Sequence, residues 1–116
     1  MNFGISDQSF STLLKALQEC HDVDEAILFG SRALGNFRPG SDIDIAVRGK
    51  KLSVRTAADL STLLNEKLPL PYRFDIVHYD TINNADLKKH IDQVGVVIFR
   101  RPAPQTLSVD KKSGNR

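Results

Sequence analysis

The sequence predicts an α/β chain of the α+β kind, a small mixed β-sheet flanked by helices. Three observations lead there. Short runs rich in apolar and β-branched residues, Glu25–Phe29, Ile43–Arg48, Arg73–His78 and Val96–Phe99, read as strands. Longer stretches at residues 6–20, 53–68 and 84–94 carry apolar side chains at helical spacing. The two kinds alternate, in the order helix, strand, turn, strand, helix, strand, helix, strand.

The first helix can be capped by Ser6 or Asp7, and Phe10, Leu13, Leu14 and Leu17 form its apolar stripe. Asp22 and Asp24 precede the first strand and read as a solvated turn. Gly30-Ser31 breaks that strand, and a short loop or helical turn with Gly35, Pro39 and Gly40 follows. After the second strand, Gly49-Lys50-Lys51 makes a turn. Ser53 then caps a helix reaching Leu68, with Ala57, Leu60, Leu64 and Leu68 on its buried side and Pro69 and Pro71 as its stop. Arg48, Lys50, Lys51 and Arg55 form a local basic cluster, read as a solvated face more readily than as a phosphate site. The third strand carries Asp75 in its middle, and a buried carboxylate there needs a partner or a metal. Asp80 lies beyond the strand end and reads as a turn residue, and His78 is given no chemistry. Asn83 or Asn84 caps the last helix, Leu87, Ile91 and Val94 line it, and Gly95 stops it.

A chain of 116 residues, 41% hydrophobic, suffices for one globular domain with a modest core. That domain is expected over residues 1–101, with a disordered polar tail over 102–116. No apolar run reaches membrane-spanning length and the first residues lack a basic-then-apolar leader, so a soluble cytoplasmic protein is expected. The formal net charge of +2 comes from Lys111, Lys112 and Arg116 against Asp110, which leaves residues 1–101 neutral. Nothing in the charge balance favours nucleic acid as a partner. Cys20 is the sole cysteine, which excludes an internal disulfide.

The stretch from Gly30 to Val47 carries the chemistry. Asp42 and Asp44 stand two residues apart at the head of a strand, so both point to one face, about 7 Å apart at Cα. Two such charges repel by roughly 2–3 kcal/mol at an effective dielectric near 20. A cation between them removes that cost, and Mg²⁺ suits one or two carboxylates plus substrate phosphates. On the other side of the loop, Gly30 lets a phosphate approach the backbone and Ser31 adds a hydroxyl donor.

Gly30-Ser31, ten residues, then Asp42-Ile43-Asp44 resembles the signature of the DNA polymerase β-type nucleotidyltransferase superfamily, and the small size resembles its minimal nucleotidyltransferase (MNT) branch. The resemblance covers roughly residues 25–80. It implies a polymerase β-like palm in which Asp42, Asp44 and Asp75 gather on one face of the sheet as metal ligands and catalytic acids. It further implies two Mg²⁺ ions and ATP as nucleotide donor, with Gly30 and Ser31 holding phosphates. Arg32 either neutralises charge there or is a surface residue. MNT proteins are typically antitoxins paired with a small helical HEPN toxin, and some transfer AMP onto a tyrosine of that partner. Three functions stay open: AMP transfer to a partner protein, an antitoxin acting by contact alone, and a nucleotidyltransferase acting on a small molecule or an RNA end.

Overall fold

The structure, a computed structural model, describes residues 3–102. The expected C-terminal tail, except Pro102, lies outside the described residues. The elements are α1 (Asp7–Glu19), β1 (Glu25–Phe29), α2 (Gly30–Leu34), β2 (Ile43–Arg48), α3 (Val54–Thr62), β3 (Phe74–His78), α4 (Ala85–Val94) and β4 (Val96–Arg100). The sheet runs in the order β3-β2-β1-β4. β1 is antiparallel to both β2 and β4, whereas β2 and β3 are parallel, so the sheet is mixed as expected. A parallel pair needs a crossover, and α3 supplies it.

Strand alternation divides the sheet between two layers. Ala26, Leu28, Ile43, Ile45 and Val47 pack with Leu13, Leu17, Ala57, Leu60 and Leu64 of α1, α3 and the turn after α3. Ile27, Phe29 and Ala46 face the other way and meet Tyr79 and Ile91. Asp44 alternates with Ile43 and Ile45, which places it on this second face, the one α4 covers.

The helix starts follow from local chemistry. The side chains of Ser6, Ser53 and Asn84 accept from Ser9, Thr56 and Leu87 N–H respectively, each satisfying an otherwise orphaned donor. The far end of α1 has no basic residue of its own. Arg101 fills that role from across the chain, donating to the carbonyls of Leu17, Gln18, Cys20 and Val23. The last strand is thereby fastened to the first helix.

Two expectations change in detail. The third helix does not run α-helically to Leu68; the α form ends at Thr62 and a π turn spans Leu63–Lys67. That turn brings Asn65 against β3, where its amide donates to the Phe74 carbonyl at 2.9 Å and accepts the Phe74 N–H at 2.8 Å. Gly95 does end α4, but in extended backbone (φ −64°) and not in the left-handed cap. Its requirement is space, since a Cβ there would run into the Ile91 carbonyl and Ile27 Cγ2.

Candidate active site

The acid-bearing ends of β2 and β3, together with the turn leaving β1, form one corner of the molecule. Antiparallel pairing sets Phe29 opposite Asp44, so Gly30 follows directly beside that carboxylate. Gly30 has φ +75°, a conformation a side chain resists, and a Cβ on it would collide with Asp44 Oδ2. The glycine of the Gly-Ser pair thus serves close approach of backbone to Asp44 as well as the turn.

Parallel pairing sets Asp75 opposite Asp44 in the β2–β3 register, and Asp42 stands one residue before β2. The structure therefore brings the three sequence-predicted acids to one sheet corner. Their surroundings differ. Asp44 is half-buried, whereas Asp42 and Asp75 are exposed. Burial pushes the Asp44 carboxyl above its ordinary range, and the like charges of Asp75 and Asp42 push it the same way; the Arg32 charge pulls it down. The exposure of Asp75 corrects the expectation of a buried mid-strand acid: it is the second residue of β3, an edge strand, and is the exposed position of that strand, whereas Phe74 before it is buried and Ile76 after it is half-buried.

Arg32 is not a surface residue. It is 3% exposed, and its guanidinium donates to the carbonyls of Phe3 (2.9 Å), Ser41 (2.7 Å from Nη2) and Asp42 (3.3 Å). Its plane lies over the rings of Phe37 and Tyr72, 5.0 and 5.6 Å from their centroids. Those contacts tie the loop before β2 to the N-terminal segment and set the approach to Asp42. Its positive charge still reaches Asp44. Ser31 is half-buried in the first turn of α2, one residue after Gly30.

Sequence reasoning missed His90. On α4, its Nε2 accepts the Gly30 N–H at 3.2 Å, and its ring meets Phe29 edge-on with centroids 6.0 Å apart. A single histidine in a polar helix gives no local signal of this, because its partner lies sixty residues earlier.

Three carboxylates are hard oxygen donors, and the repulsion felt at Asp44 is what a divalent cation would relieve, so the residues fit Mg²⁺. Among the described residues no three His, Cys, Asp or Glu side chains are closed into a ready metal site. Asp42 instead lies 4.0 Å from Arg73, in a solvent-exposed ion pair. The open arrangement suits a cation that takes part of its coordination from triphosphate oxygens.

A cavity of about 630 Å³ lies elsewhere, beside Glu25 and Arg48 at the opposite end of the β1–β2 pair. Several of its charged groups are already engaged. Glu25 pairs with Arg48 at 3.7 Å and Arg100 at 2.8 Å, and Asp24 and Asp80 accept the Lys50 and Gly49 N–H groups. Arg48 also lies over the Tyr79 ring, 4.6 Å from its centroid. The expected basic cluster is thus partly neutralised, and the acids mark the better site on chemical grounds.

No helix among the described residues is long and apolar enough to cross a membrane. A comparison with curated proteins returned no match. Among solved structures, the chain is similar to a toxin–antitoxin complex with AMP-PNP (TM-score 0.66, 23% identity, covering 79% of this chain and 73% of that one). It is also similar to a mutant of the MntA–HpeT toxin–antitoxin (TM-score 0.63, 20% identity, 79% and 73% covered). A third is a tri-AMPylated Shewanella oneidensis HEPN toxin in complex with MNT antitoxin (TM-score 0.61, 21% identity, 81% and 71% covered). These likenesses bear on the fold. The family model for polymerase β nucleotidyltransferases matches residues 11–103, most of the chain and the whole acid corner. The chain belongs to the polymerase β nucleotidyltransferase family.

Proposed function

We propose that this protein is a Mg²⁺-dependent nucleotidyltransferase that moves AMP from ATP to a hydroxyl of a partner protein, and that it serves as the MNT antitoxin of a HEPN-type toxin. The observation that carries the reading is the pairing of Asp44 with Asp75 across β2 and β3, directly beside the Gly30-Ser31 turn. Supporting it are the family match and three similar folds that come from toxin–antitoxin complexes, one holding AMP-PNP and one an AMPylated toxin.

In this reading Asp42, Asp44 and Asp75 would hold Mg²⁺. The chemistry supplied by the bound ion is neutralisation of the triphosphate and of the departing pyrophosphate. Gly30 and Ser31 would flank the β- and γ-phosphates. The acceptor's hydroxyl oxygen forms the new bond to the α-phosphorus. The bond from that phosphorus to the bridging oxygen breaks, and its electron pair leaves with pyrophosphate. The hydroxyl proton passes to Asp75, whose exposed carboxylate is open to an incoming acceptor. Arg32 fixes the loop that presents Asp42. Much of the rate comes from docking, since holding a hydroxyl in line with phosphorus can contribute several kcal/mol, up to about 7–11 in ideal cases.

The test is intact-mass spectrometry of the chain mixed with a HEPN-type partner, ATP and Mg²⁺. The expected result is addition of adenylyl units to the partner, lost in Asp42→Asn and Asp44→Asn. A partner that is bound and silenced with no mass change would establish the contact-only antitoxin instead.

A further inference from the structure

We propose that His90 is the positioning residue of the acid corner: its Nε2 fixes the Gly30 peptide against Asp44 and so holds that carboxylate where a divalent cation and a triphosphate need it. This inference rests on the nucleotidyltransferase reading and deepens it.

The argument runs from backbone to metal. Gly30 leaves β1 in a left-handed conformation with its backbone pressed on the Asp44 carboxylate, so a rotation of the Gly30 peptide moves the wall on which Asp44 rests. The bond that opposes such rotation is the 3.2 Å hydrogen bond from the Gly30 N–H to His90 Nε2. An accepting Nε2 carries no proton, which puts the neutral ring's proton on Nδ1. The imidazole is itself held, edge-on to Phe29, the residue paired with Asp44. The helix that carries it is held too. Tyr79 OH donates to Asp92 of α4 at 2.6 Å, and Ile91 packs at 1% exposure under the same helix. A side chain that orients a metal-binding carboxylate without touching the metal typically costs 10–100-fold in affinity or activity when lost.

The experiment uses the full chain, labelled with ¹⁵N. Long-range ¹H–¹⁵N correlation should find the His90 proton on Nδ1, and hydrogen exchange should find the Gly30 amide protected. His90→Phe keeps a ring against Phe29 and removes the acceptor. It should speed Gly30 exchange by about tenfold or more and weaken binding of Mn²⁺ plus AMP-PNP by roughly tenfold. His90→Gln, which offers a carbonyl acceptor, should restore both to within about threefold of the parent, a rescue that a purely structural role would not give. Thermal melts check folding, and His90→Leu replaces the Phe variant if the aromatic swap fails to fold. A proton on Nε2, or an acceptor-less variant that binds Mn²⁺ plus AMP-PNP as the parent does, overturns the proposal and leaves the nucleotidyltransferase reading standing. A parent that binds no Mn²⁺ plus AMP-PNP overturns both.

Discussion

Replacing Asp44 by Asn should make the metal-free protein more stable, although Asp44 stands at the centre of the proposed site. Asp75 faces it across neighbouring strands about 5 Å apart, and Asp42 stands two residues back, about 7 Å away. Unit charges at those separations repel by roughly 2–3 kcal/mol each at an effective dielectric near 20. Asp42 and Asp75 are exposed, so water screens most of this, and a net gain of about 0.5–1 kcal/mol is expected for the Asn variant. At about 4–8 °C per kcal/mol for a domain of this size, the melting temperature should rise by about 2–8 °C. The sign with pH follows from the raised carboxyl of Asp44. The folded state binds that proton more tightly than the unfolded chain, so ionisation penalises folding. The penalty is complete above the folded value and fades as pH falls through it toward the ordinary value of 3.8. The advantage of Asn should therefore appear at pH 7.5 and disappear near pH 4. Melts in chelator at both pH values measure this. Repeating them with Mg-ATP supplies the other half: a ligand at 100 times its Kd stabilises the parent by about 2.7 kcal/mol, and the variant should keep less than half of that. A variant that melts below its parent in chelator at pH 7.5, or gains equally from Mg-ATP, refutes the reasoning.

Asp75→Asn should abolish AMP transfer with little loss of ATP binding, while Asp80→Asn, whose contact is a 3.4 Å hydrogen bond with Gly49 N–H, should be nearly silent; the reverse pattern in a transfer assay would move the third acid to Asp80. Arg32→Met should cost about 2–4 kcal/mol by orphaning the carbonyls of Phe3, Ser41 and Asp42 in a buried setting, and denaturant unfolding that shows less than about 0.5 kcal/mol would mean the loop holds itself. Arg101→Ala should cost about 1–3 kcal/mol, with hydrogen exchange quickening first at the end of α1 and in β4; unchanged exchange there would show that the helix end needs no guanidinium.

Much of the fold could be read from the chain because the signals were local. α1, β1 and β2 begin and end where periodicity and caps put them, since each buries one regular stripe. The acid corner was legible for the same reason: the i, i+2 spacing fixes Asp42 and Asp44 on one side, and an acid in the next strand could pair with them. What stayed hidden depends on distant groups. Nothing around Leu63 announces a π turn, because its consequence is the contact of Asn65 with Phe74 nine residues on. Arg32 sits beside a phosphate-like signal and looks free, yet its burial comes from Phe3, Phe37, Ser41 and Tyr72. Asp75 looked buried because its neighbours are apolar, and only the strand order reveals that β3 is an edge. His90 acquires meaning only when α4 folds over Phe29.

The pair of hydrogen bonds between Asn65 and Phe74 also decides how this sheet meets other copies of itself. A side-chain amide that both donates to and accepts from one residue occupies the sites a neighbouring strand would use, so β3 is stoppered at Phe74. The other flank has no such stopper among the described residues: β4 pairs only with β1, and Val96 and Val97 are 37% and 43% exposed on it. Concentrated solutions would therefore zip along β4 before β3, and a lysine at Val97 is the substitution that would keep them clear while leaving the acid corner untouched.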